Sequence, residues 1–84
     1  MYYYVYLIVS KDKNKTISYV GYTNNIYKRL NLHNIGKGAK FTKGKKWKLI
    51  YKKKYLSKRK AMSEEHKLKK NYILRNKIKK LNEF

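Results

Sequence analysis

The run Tyr2-Tyr3-Tyr4-Val5-Tyr6-Leu7-Ile8-Val9 is aromatic, β-branched or leucine at every position. It reads as a buried strand, because aromatic and β-branched residues favour strands and an unbroken run of them leaves no solvated face. Lys11-Asp12-Lys13-Asn14-Lys15 follows as a polar turn, and Ile17 to Thr23 gives a second strand. So short a connection makes the pair an antiparallel hairpin. An even-length turn sets Tyr6 and Tyr19 side by side on one face. Gly21, inside an otherwise bulky strand, marks close approach of another backbone or of a ligand.

Asn24 or Asn25 caps a helix whose apolar positions Ile26, Tyr27 and Leu30 recur at helical spacing. That helix runs to about Asn34 and ends at Gly36. Gly36 to Lys46 is a loop with three glycines and five lysines, long enough to be functional. Trp47 to Tyr55 alternates, with Trp47, Leu49, Tyr51 and Tyr55 on one face, as a half-buried strand does. Ser57 caps a second helix with Ala61, Met62, Leu68 and Tyr72 in one stripe. Leu74, Ile78 and Leu81 repeat on a rotated face, so a break near Asn71 and a third helix capped by Asn71 are expected. The predicted class is α+β, a small antiparallel three-stranded sheet flanked by helices in the order β-β-α-β-α-α. No proline, Gly/Ser linker, repeat or composition shift divides the chain, so residues 1–84 read as one domain.

Composition narrows the partner. Twenty-four Lys and Arg against four Asp and Glu give a net charge of +20, which repels itself in a compact monomer unless a polyanion is near. Disorder is excluded by a hydrophobic fraction of 42% and an aromatic fraction of 15%. The charge points to nucleic acid, although the wealth of Lys, Asn, Ile and Tyr beside three arginines (Arg29, Arg59, Arg75) is also what an A·T-rich coding sequence yields. The absence of cysteine excludes disulfides, a thiol nucleophile and thiolate zinc sites. No apolar run approaches the ~20 residues of a membrane span, and no small-residue cleavage site follows the first strand. The expectation is a soluble intracellular protein with no membrane partner.

Chemistry is concentrated in few residues. Glu65 falls at the middle of the Ala61/Leu68/Tyr72 stripe, with Glu64 on the solvated side. A carboxylate in such a stripe is costly without a partner. It is either paired with one of the many cations or lines a site as metal ligand or acid. Arg29 and His33 stack at i, i+4 on the border of the Ile26/Leu30 stripe, where Arg clamps phosphate and His exchanges protons near neutrality. Asp12 lies in a turn and Glu83 at the terminus, so one carboxylate is available, enough for a single loosely held hard cation. A two-metal nuclease and a paired-carboxylate glycosidase are thereby excluded. No serine sits in a nucleophile elbow. Phosphate chemistry with Tyr, Arg, His and one Glu remains.

These residues resemble a known family. Tyr4-Val5-Tyr6, followed thirteen residues later by Tyr19-Val20-Gly21, is similar to the paired tripeptides of the GIY-YIG nuclease superfamily. Thr23-Asn24-x-x-x-x-Arg29-x-x-x-His33 resembles its first-helix signature, and Glu65 falls where the family has its metal-binding glutamate. The likeness extends from Tyr2 to about Lys70. The Gly36-Lys37-Gly38-Ala39-Lys40-Phe41-Thr42 stretch is most similar to small stand-alone members and to structure-specific junction nucleases. Tyr4 replaces the first glycine of the pattern, and valines replace both isoleucines. Asn71 and Asn76 are two candidates for the family's late polar residue.

The resemblance implies a metal-dependent endonuclease hydrolysing DNA phosphodiester bonds by a one-metal mechanism. Glu65 would hold a single Mg²⁺ or Mn²⁺. Arg29 would grip the non-bridging oxygens. Tyr6 and Tyr19 would orient or deprotonate the attacking water, which of the two being open, and His33 would assist as hydrogen-bond partner or proton relay. A phenol of pKa ~10 is a poor base at pH 7 unless nearby cations stabilise its anion. Lys37, Lys40, Lys43, Lys45 and Lys46 of the loop, with Lys48, Lys52, Lys53 and Lys54, would track phosphates with little base reading. The expected partner is DNA, including branched or nicked forms as in DNA repair. Weak sequence specificity, recognition of nucleic-acid shape, or a targeting protein partner would supply the address. The alternatives are a non-catalytic nucleic-acid-binding module that retains the fold, and a basic ribosome-associated or RNA-packaging protein. The last explains the charge but not the position of Glu65.

Overall fold

A computed structural model describes residues 1–82, so Glu83 lies outside the described residues. The elements are β1 (Tyr3–Asp12), β2 (Lys15–Thr23), α1 (Ile26–Asn34), β3 (Lys48–Tyr55), α2 (Lys58–Lys70) and α3 (Tyr72–Leu81). The fold is α+β, with one antiparallel sheet in the order β2-β1-β3. The central place falls to the most apolar strand, β1, in which Leu7 and Ile8 are fully buried. Each such side chain contributes roughly 1.5–3 kcal/mol by leaving water. Exposed Lys52, Lys53 and Lys54 blunt the β3 edge against further pairing.

Both faces of the sheet are covered. Val5, Leu7 and Val20 pack with Ala61 and Leu68 of α2 and Ile78 of α3. On the other face Tyr6 and Ile8 pack with Ile26 of α1 and with Trp47, bordered by Tyr19, Leu30 and Leu49. The helix caps are Asn25, Ser57 and Asn71, each accepting a backbone N–H three residues on.

Four expectations are corrected. First, both hairpin strands run further than expected and Asp12 pairs with Lys15, leaving a two-residue turn with Lys13 at φ 56°. Tyr6 therefore faces Gly21, and Tyr19 faces Ile8. A two-residue offset preserves the face, so the two tyrosines are diagonal rather than opposite. Second, a bulge in β3 puts Tyr51 opposite Leu7 and Leu49 opposite Ile8. The extra residue breaks the alternation, and Leu49 and Tyr51 serve opposite faces. Third, Met62, Tyr72, Leu74 and Leu81 are exposed, because the stripe that α2 and α3 bury narrows to Ala61, Leu68 and Ile78. Fourth, Glu64 is half-buried rather than solvated, set among Tyr51, Tyr55 and Lys67, whose ammonium is 3.1 Å away. The Lys67 ammonium beside it holds its carboxyl below the usual carboxylate range.

Candidate active site

A cleft of about 420 Å³ opens at the free edge of β2, where the helix layers of both faces reach around the sheet. Tyr6 and Tyr19 enter it from one face of the hairpin, Arg29 from α1, and Glu65 and Lys58 from α2. Gly21 sits between them. A Cβ there would lie 2.6 Å from Cζ of Tyr6, so the missing side chain is the space the Tyr6 ring uses to cross β2. The close approach marked by this glycine is thus made by a tyrosine of the same sheet.

His33 stands behind the cleft wall, fully buried. Its Nε2 is 2.8 Å from the Tyr6 hydroxyl and its Nδ1 is 2.8 Å from Oγ1 of Thr42. The Thr42 hydroxyl donates its one proton to Ala39 O and accepts from Ala39 N–H. It therefore accepts from Nδ1–H, which leaves Nε2 bare to accept from the Tyr6 phenol. Burial, aided by the Arg29 charge, lowers the His33 pKa and keeps the ring neutral, as this tautomer requires. Burial raises the Tyr6 pKa against the opposing pull of Arg29, so the phenol remains a donor. Tyr19 meets the His33 ring edge-on at 5.1 Å and stands at the cleft.

The loop between α1 and β3 holds this arrangement. Gly38 passes so close to α1 that a Cβ would come within 2.9 Å of His33 Cα, and its carbonyl accepts from Arg29 Nη2 at 3.1 Å. Buried Thr42 offers its carbonyl to the Trp47 indole at 2.9 Å. Asn34 closes the loop: its Oδ1 accepts from Trp47 N–H at 2.6 Å and its Nδ2 donates to Trp47 O at 3.3 Å. Of the loop lysines, Lys37, Lys40, Lys43 and Lys46 are exposed, and half-buried Lys45 lies 5.7 Å from the Phe41 ring. None of them lines the cleft.

Tyr6, Tyr19, Arg29 and Glu65 thus share one cleft, and His33 connects to it through Tyr6. Three participants lay outside the sequence reading. Lys58 was detectable, since it precedes Glu65 by seven residues and shares its helical face. Thr42 and Asn34 were not, because an internal loop threonine and a helix-end asparagine have no pattern of their own.

The Glu65 side chain is 16% exposed and its carboxylate is 3.6 Å from Lys69 Nζ. Among the described residues no group of three or more His, Cys, Asp or Glu converges as a metal site. Glu65 is the carboxylate that lines the cleft, so a hard divalent ion there would have one protein carboxylate and would need water and substrate oxygens to complete its shell. Also among the described residues, no helix is long and apolar enough to cross a membrane.

Hairpin, flanking helices and edge cleft define a small α+β domain with its candidate site at one edge of the sheet. A model of the GIY-YIG catalytic domain matches residues 2–81, and the chain belongs to that family. It is 41% identical over 68 residues to a UPF0213 protein of Oceanobacillus iheyensis, covering 80% of this chain and 76% of that one. A Clostridium perfringens UPF0213 protein is 44% identical over 68 residues, 80% of this chain and 70% of the relative. The UPF0213 protein YazA of Bacillus subtilis is 40% identical over 69 residues, 81% and 67% of the two chains. No solved structure matches the chain.

Proposed function

We propose that the protein is a metal-dependent endonuclease that hydrolyses DNA phosphodiester bonds, with shape-based rather than sequence-based recognition. The observation that carries this reading is the meeting of Glu65, Arg29, Tyr6 and Tyr19 in one cleft of a chain with net charge +20. A polyanionic substrate suits that field, and a carboxylate in the same cleft is the group among them that can hold a cation against it.

Glu65 would hold Mg²⁺ or Mn²⁺, which when bound supplies charge neutralisation at the phosphate and the leaving oxygen. Arg29, fixed by the Gly38 carbonyl, presents its remaining N–H groups to the non-bridging oxygens. Lys58 adds a second positive charge at the cleft wall. Tyr19 stands at the cleft, and orienting the attacking water falls to it more readily than to Tyr6. The Tyr6 phenol, 3% exposed and bound to His33, is a positioning group that fixes where water and phosphate sit. The loop lysines gather DNA by phosphate contacts.

The test is incubation with branched, nicked, single-stranded and duplex DNA, with and without Mn²⁺. Mn²⁺-dependent cleavage of at least one form supports the reading. Binding without cleavage of any of the four favours the non-catalytic module.

A further inference from the structure

Beside the cleft, a second groove of about 300 Å³ is lined by Ser18, Tyr19, Val20, Phe41, Lys69 and Arg75. Tyr19 lines both depressions, and Lys69 spans them, since its ammonium also faces Glu65. Phe41 is 53% exposed on a loop whose other long side chains are lysines. An apolar ring there contributes little to the core, yet it is rigidly presented. Its neighbour Thr42 is fully buried, Trp47 lies against it at 6.4 Å, and its plane is within 22° of the Tyr19 ring at 6.1 Å. Lys69 and Arg75 line the same groove, the latter held by donating to Leu68 O at 3.0 Å. A flat aromatic ring, over which the half-buried Lys45 ammonium sits at 5.7 Å, sharing a groove with two further cations is complementary to a nucleotide, with ring to base and charge to phosphate.

We propose that this groove seats one unpaired base of the DNA next to the scissile phosphate, stacked on Phe41, with its own phosphate held by Lys69 and Arg75. Bases inside a duplex already stack on both faces, so only a splayed or single-stranded nucleotide has a face to give. This deepens the nuclease reading and rests on it for the position of the scissile bond. It narrows the substrate class to DNA with an unpaired nucleotide at the cut, such as a fork or flap.

The experiment is a cycle of affinities measured in EDTA at fixed salt. The probes are a forked oligonucleotide duplex, the same fork with an abasic site at the first unpaired position, and the fully paired duplex. Wild type is expected to bind the fork most tightly and to lose roughly 10-fold with the abasic site, the scale of one base stack. Phe41→Ala should lose about the same on the intact fork and little on the abasic fork or the duplex, while Phe41→Trp retains the preference. Equal losses on all three DNAs, or no loss with either the protein or the abasic change, overturns the proposal. The abasic comparison on wild type keeps the result decisive even if the alanine variant folds poorly. Cleavage of the fork in Mn²⁺ is scored separately. Coupling with no cleavage of the fork or of the other three DNA forms leaves the base site standing and removes the nuclease, and cleavage without coupling does the reverse.

Discussion

The ring of Tyr6 lies across Gly21 on the neighbouring strand, in the space where any other residue would place its Cβ, and its hydroxyl ends on His33. One strand position thereby sets the depth of the cleft and the anchor of the tyrosine that forms its floor. Gly21→Ala should force the Tyr6 ring out of place and break the 2.8 Å hydrogen bond to His33. Overpacking of this kind costs roughly 1–3 kcal/mol. A thermal midpoint unchanged from wild type would show that the ring has room to move.

The buried His33 makes stability depend on pH in a defined window. Its folded pKa lies below 6.5 because of burial and the Arg29 charge, so between the folded and unfolded values the unfolded chain binds the extra proton. Stability therefore falls as pH drops below about 7, at a limiting slope of about 1.4 kcal/mol per unit, and levels off below the folded pKa. Urea unfolding at several pH values from 7 to 5 should show this fall in wild type, and a flatter profile in His33→Gln. Parallel profiles would place the acid sensitivity elsewhere.

What the sequence made legible follows from the range of each signal. Element order and caps were readable because Asn25, Ser57 and Asn71 act on the backbone three residues away. Tyr6, Tyr19, Arg29 and Glu65 were picked out by their resemblance to a family pattern, and the structure lines one cleft with all four. Register was not readable, since it turns on whether Lys13 adopts a left-handed conformation, and the β3 bulge has no residue signature in Lys48 to Tyr55. Nor was the role of Thr42, which depends on a loop fold bringing it to His33 nine residues away. The spacing of Arg29 and His33 placed both on a helix border, yet only packing decides that one faces the cleft and the other is sealed beneath it.

Asn34 replaces the backbone pairing that β3 lacks at its start. Its amide both donates to and accepts from the Trp47 backbone, so Asn34→Ala leaves two main-chain groups to water or to nothing. The loss should be about 1–2 kcal/mol, or roughly 4–8 °C of thermal midpoint per kcal/mol for a domain of this size. Trp47 is the single tryptophan and is 5% exposed, so its fluorescence should shift to the red if the loop loosens. An unshifted spectrum with an unchanged midpoint would mean the clasp is idle.

Binding should be strongly salt-dependent. If the five lysines of the Gly36–Lys46 loop each neutralise a phosphate, log affinity for duplex DNA falls with log salt at a slope of about −4.5 from them alone. Replacing Lys40 and Lys43 with Gln should make the slope shallower by about 2. A slope near zero would point to a partner other than nucleic acid.

Glu65→Ala separates a catalytic carboxylate from a structural one. Its ion pair is with Lys69, at 3.6 Å and with the lysine 51% exposed, an arrangement worth no more than about 1 kcal/mol. Removal should therefore hardly lower the thermal midpoint. It should abolish Mn²⁺-dependent cleavage while leaving DNA affinity equal or slightly higher, because a negative charge has left a phosphate-facing surface. A fully buried pair would behave differently, its broken partner costing roughly 3–5 kcal/mol and melting the domain earlier. Thermal midpoint, affinity in EDTA and cleavage in Mn²⁺ are to be read on the same preparation. A strongly destabilised variant, beside a wild type that cleaves none of the four DNA forms, would make Glu65 a structural ion-pair partner and the protein a binding module.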